Sequence, residues 1–130
     1  MNILNVYPVP GESPRTRTFY TIAAVIVALA MFAAALGSGN PDTPLEAKPP
    51  AWVDNVGNIL AAGIGVLALV PRTRAVAGSA AVVIMVVSMY LNYTVDGVEF
   101  FLLALPFNLV TLTLGALMAW YYGRARAPAR

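Results

Sequence analysis

Residues 53–91 read VDNVGNILAAGIGVLALV-PRTR-AVAGSAAVVIMVVSMYL: two apolar blocks, 53–70 and 75–91, parted by four residues. At about 1.5 Å of rise per residue, each block as a helix is about 25 Å long, close to the hydrocarbon thickness of a bilayer. A joint of four residues leaves room only for a tight turn, so the two helices must run antiparallel as neighbours. Two further blocks flank this hairpin. Residues 19–36 read FYTIAAVIVALAMFAAAL, and residues 100–122 read FFLLALPFNLVTLTLGALMAWYY.

The connecting segments are of a different character. Residues 37–52 contain Pro41, Pro44, Pro49 and Pro50, which rule out helix interior and predict a loop. Residues 92–99, NYTVDGVE, predict a second, shorter one. Residues 1–18 form a polar, proline-containing arm expected to have little fixed structure, and residues 123–130, GRARAPAR, a basic tail. The whole chain of 130 residues is 59% hydrophobic and 11% charged. Soluble domains carry about 25% charged residues, so the expected class is an all-α integral membrane protein, a bundle of four spans. A cleavable signal peptide is the rival reading of block 19–36, with Ala33-Ala34-Ala35 as the small residues for cleavage. The length of the block and of the preceding arm argue against it.

Charge orients the spans. All but Lys48 of the eight basic residues are arginine. In a four-span arrangement Arg15, Arg17, Arg72, Arg74, Arg124, Arg126 and Arg130 all lie on one side. The opposite loops hold Asp42, Glu46, Asp54, Asp96 and Glu99. Lysine- and arginine-rich ends stay in the cytoplasm, so both termini are expected there, in the inner membrane. The seven arginines are then anchors that set topology and meet anionic lipid headgroups. Phe19, Tyr20, Trp120, Tyr121 and Tyr122 fall at the inner boundary, and Trp52, Tyr90 and Tyr93 near the outer one, as in an aromatic belt.

The tetrapeptide PRTR occurs twice, at residues 14–17 and 71–74, each time before an apolar block. A second correspondence joins blocks two and four. Asn58, Ala61, Gly65 and Leu67 match Asn108, Thr111, Gly115 and Leu117 in type and spacing. Two tandem hairpins from a duplication would produce this; so would chance among arginine-flanked apolar segments.

Chemistry is sparse. The chain has neither cysteine nor histidine, so it offers no disulfide, thiolate nucleophile or zinc site, and no cofactor is implied. No acidic or basic residue lies at depth in a span, where a proton-coupled carrier needs one. The loop carboxylates read as solvated charges, which leaves a non-enzymatic protein. Asn92-Tyr93-Thr94 matches a glycosylation acceptor but lies against the third span. The tail arginines suit lipid headgroups better than nucleic acid.

What remains at depth is polar and small. Asn58, Ala61 and Gly65 share one helix face, and Asn108, Thr111, Gly115 and Ala119 another, by steps of three and four. Small residues let backbones approach, and a side-chain amide seeks a partner in hydrocarbon. Two readings stand: these faces close the bundle, or one of them joins copies or lines a pore in an oligomer. Pro106 removes the backbone bond to Leu102 and predicts a kink, with Asn108 placed to satisfy backbone groups nearby.

Taken together, the PRTR arm, four spans, cytoplasmic termini and the tail GRARAPAR resemble the small holin-like membrane proteins of actinobacterial bacteriophages. The resemblance implies a lysis role: accumulation in the inner membrane, then assembly and permeabilisation at a set time. It carries no role for any single residue. The expected partners are the lipid bilayer and further copies of the chain or a partner membrane protein. The alternatives are an accessory subunit of a larger membrane complex, and a small channel or facilitator.

Overall fold

The computed structural model describes residues 12–37 and 39–126, for residues 125 and 126 the backbone alone. Among the described residues four helices follow one another: α1 Pro14–Ala35, α2 Ala51–Leu69, α3 Arg74–Thr94 and α4 Val98–Arg126. Two short 3-10 turns, Leu45–Ala47 and Pro71–Thr73, lie in the connections. All four helices are long and apolar enough to cross a membrane.

α1 starts earlier than its apolar residues do. Ser13 stands extended before it and its Oγ accepts from the Thr16 amide at 3.2 Å; Pro14 follows at the first helical position. A serine cap and a proline with no amide to satisfy are both favoured there. The arm predicted over residues 1–18 therefore becomes helix from Pro14 on, and its first eleven residues lie outside the described ones. The first PRTR is a helical turn.

The second PRTR does something different. Val70 leaves α2 extended, and Pro71–Thr73 form a 3-10 turn. Thr73 Oγ1 donates to the Leu67 carbonyl at 2.6 Å and lies 3.1 Å from the Val70 carbonyl. Arg74 Nε donates to the Ala68 carbonyl at 2.9 Å and its Nη2 reaches the Leu69 carbonyl at 3.4 Å. These are the carbonyls that the end of a helix leaves without intrahelical partners. The turn thus caps the helix behind it, whereas residues 14–17 open the helix ahead.

At the far end, Gly97 turns the chain from α3 into α4 with φ at +100°, a conformation that other residues rarely adopt. The long first connection is tied to this turn. Thr43 Oγ1 donates to Asp96 Oδ1 at 2.9 Å, and Asn40 Nδ2 to the Asp96 carbonyl at 3.4 Å.

The helices pack in sequence order around the bundle, and α4 closes against α1. The α3/α4 and α1/α2 pairs have the largest interfaces. Much of what fills them is small, beside Val27, Met31 and Met118. Ala23, Ala24 and Ala28 of α1, Ala61 and Ala68 of α2, and Ala77 and Ala81 of α3 are all buried. Val27 and Ile64 are buried, but many large branched residues point outward: Leu29 is 62% exposed, Ile59 71% and Leu103 80%. A protein folded in water buries such residues first. The reverse order suits a solvent as apolar as leucine itself, in which close backbone approach holds helices together.

The closest approach is between α3 and α4. A Cβ on Gly78 would stand 2.5 Å from the Gly115 carbonyl oxygen and 2.7 Å from the Ala119 amide nitrogen. Backbone atoms cannot rotate away. On the other pair, a Cβ on Gly65 would meet the Phe32 ring at 2.6 Å, and a ring can swing. Gly78→Ala is therefore expected to destabilise the bundle by about 3 kcal/mol and Gly65→Ala by about 1 kcal/mol. Thermal unfolding in detergent reads both, and equal losses would contradict the asymmetry.

Candidate functional site: the arginine and aromatic end

The N-terminus of α1, the turn between α2 and α3, and the C-terminus of α4 meet at one end of the bundle. Tyr20 of α1 and Tyr121 of α4 stack with ring centroids 3.8 Å apart and planes within 8°. Tyr122 stands edge-on to both. All three rings are buried, so they are core and not belt; Phe19 and Trp120 beside them are exposed.

Charged groups enclose this cluster. The Arg74 guanidinium lies 5.4 Å from the Tyr122 ring centroid, and its Nη1 is 3.4 Å from the Tyr122 hydroxyl. With its bonds to Ala68 and Leu69, this one side chain joins α2, α3 and α4. Glu12 accepts from Arg17 Nε at 2.9 Å and from the Tyr121 hydroxyl, and its side chain is only 11% exposed. It ties the start of α1 to the end of α4. Arg124 lies over Trp120, 5.0 Å from the ring centroid. Arg15 is exposed and Arg72 half-buried. Arg126 and Arg130, named as anchors from the sequence, have side chains outside the described residues.

A groove of about 470 Å³ opens between α1 and α4 at this end, lined by Arg15, Thr16, Phe19, Tyr20, Trp120, Tyr121 and Arg124. The opposite end carries the acidic residues. There Asp42, Glu46, Asp54 and Glu99 are exposed beside Lys48, and Asp96 holds the long connection.

The two small-residue faces lie inside the bundle. Ala61 and Gly65 are buried, with Gly65 against Phe32 of α1; Asn58 is half-buried. Asn108, Thr111 and Gly115 are buried, and Gly115 faces Gly78, Ala81 and Val82 of α3. Ala119 is half-buried next to Gly78. The matched glycines of the two hairpins thus meet unlike partners, a ring in one pair and a backbone in the other.

The polar members make no bond between helices. Thr111 Oγ1 donates to the Phe107 carbonyl of its own helix at 3.0 Å. Asn108 is 4% exposed and its Nδ2 has no partner, so this donor satisfies none of the backbone groups near Pro106. Pro106 itself is exposed, and α4 continues as helix on both sides of it.

Sequence reasoning passed over Glu12 and Gly78. Glu12 lies in the arm, residues 1–18, expected to have little fixed structure. Gly78 lies in a block whose other small residues offered no reason to single it out. No family model, curated protein or solved structure matches this chain.

Two expectations follow from the geometry. Arg74→Lys keeps the charge but not the fork that reaches two carbonyls and a phenol, so it is expected to lose about 1–2 kcal/mol of stability in detergent. Arg72→Lys, at a position with no such bonds, is the control. Replacing the unpaired Asn108 amide with a side chain of similar volume removes a buried donor without a partner. Asn108→Leu is therefore expected to raise stability by about 1 kcal/mol. A loss instead would mean that the amide is paired in the membrane.

Proposed function

We propose that this chain is a non-enzymatic, multi-pass protein of the inner membrane, with its arginine end in the cytoplasm, that acts on the bilayer in the manner of a holin-like lysis protein. The observation that carries the membrane part is the packing order, with alanine and glycine prominent inside and most of the exposed surface made by leucine, isoleucine and valine. The segregation of arginine to one end supports the orientation.

Val27, Met31, Thr111 and Met118 fill the interior and are fully buried. In this reading a lesion forms between copies, or after the bundle opens. The small-residue faces are occupied within the chain, so copies meet through outer surfaces such as Ile59 and Val66 of α2, or Leu103 and Val110 of α4.

The absence of native cysteine makes the test clean. Single variants Ser13→Cys and Glu46→Cys are expressed in a bacterial host and exposed to a membrane-impermeant thiol reagent. Glu46→Cys is expected to react in intact spheroplasts, and Ser13→Cys only after the membrane is broken. Membrane potential is then followed with a voltage-sensitive dye after induction. A lag followed by abrupt collapse is the expected outcome. A steady potential at verified high expression overturns autonomous permeabilisation.

A further inference from the structure

The four helices divide into two hairpins. The α1/α2 and α3/α4 interfaces are the larger ones, and the close glycine contacts lie within them. Gly65 meets the Phe32 ring in the first hairpin, and Gly78 meets the Gly115 backbone in the second. The α2/α3 and α1/α4 interfaces, which join the hairpins, are smaller. Between the hairpins lie side chains of a shared core, Val27, Met31, Met85 and Met118 among them.

Among the described residues, the hydrogen bonds between the hairpins sit at their ends. At the Pro71–Thr73 connection, Thr73 and Arg74 bind the last carbonyls of α2. The chain is continuous there, which makes this edge a hinge. The opposite edge, α1 against α4, has no covalent link. The hairpins are fastened away from the hinge twice, each time by a carboxylate. At the arginine end Glu12 accepts from the Tyr121 hydroxyl of α4, and Tyr20 of α1 stacks on the same ring. At the far end Asp96, in the turn between α3 and α4, accepts from Thr43 Oγ1 in the connection between α1 and α2. Asn40 Nδ2 reaches the Asp96 carbonyl beside it. Thr43 is buried and the Glu12 side chain nearly so, although both lie outside the helices.

We propose that the two hairpins are units hinged at Pro71–Thr73, and that Glu12 and Asp96 are the clasps that keep the α1/α4 edge shut. The inference rests on the membrane reading above. In lipid no hydrophobic effect drives helices together, so cohesion comes from close packing and from hydrogen bonds. The closest backbone packing is inside the hairpins. Between them, bonds to a charged acceptor carry more of the cohesion, and such bonds are the stronger kind. The clasps do not depend on a lysis role; in that role, their release is the step that opens the bundle.

The cysteine-free chain accepts spin labels in pairs at exposed positions, away from the core. Leu36→Cys with Leu103→Cys spans the α1/α4 edge, and Tyr90→Cys with Leu103→Cys lies within the second hairpin. Distances are read by pulsed electron spin resonance on the full chain in phosphatidylcholine vesicles. Thr43→Val and Tyr121→Phe each remove one donor to a clasp and keep the shape of the side chain. Each is expected to raise the ratio of open to closed distances across the edge about tenfold, and the two together about a hundredfold, because the clasps lie at opposite ends. Distances within the second hairpin should stay as they are. Thr21→Val, which removes a hydroxyl bonded within α1, should change neither pair.

A double variant that keeps the closed distance across the edge overturns the clasps. Equal lengthening of both pairs overturns the hairpins as units, because the whole bundle is then loosened. The labels report wherever the chain resides, and flotation of the vesicles locates it. A chain left in solution overturns the membrane reading, while the distances still decide the clasps.

Discussion

The contact between Gly78 and Gly115 is the constraint on which the bundle depends. Two helix backbones approach so closely there that a single added methyl would press on a carbonyl oxygen and an amide nitrogen. Such an approach matters most where no hydrophobic effect operates between helices. With lipid as solvent, a buried leucine has little advantage over an exposed one. Dispersion between close backbones then becomes a principal source of cohesion. Much of the remaining packing is similar, with alanines at the interfaces and many leucines, isoleucines and valines outside.

The arginine end adds a second, polar kind of cohesion. Arg74 covers carbonyls that the end of α2 would otherwise present to the boundary, and it grips Tyr122 from above. Glu12 performs the matching task across the seam, receiving bonds from α1 and α4 at once. Arg17 and Arg74, expected from the sequence to be topology anchors, are thus structural ties. Arg17 and Arg74 are held by partners inside the chain, while Arg15 remains exposed at the mouth of the groove.

The two PRTR copies show how far identical sequence can carry. Both hold a proline that starts a helical turn, because proline lacks the amide that a first turn cannot satisfy. The copies then part according to what precedes them. Residues 14–17 follow Ser13, which already caps the helix, so Arg17 turns to Glu12. Residues 71–74 follow the end of α2, so Thr73 and Arg74 turn back to its open carbonyls.

Sequence alone determined the number of helices, their approximate positions, the antiparallel hairpin at residues 71–74 and the separation of charge between the ends. Each of these follows from local hydropathy, proline placement or the order of charges along the chain. Only the tertiary structure decided at which small residue two backbones meet, that the Asn108 amide nitrogen is buried without a partner, and that Tyr20, Tyr121 and Tyr122 are core. It also decided that Glu12 and Arg74 are ties between helices. The physical reason is that helices this uniformly apolar carry little amphipathic signal. Alanine and glycine recur on every face of such helices, and only the positions of neighbouring backbones distinguish a contact from a lipid-facing gap.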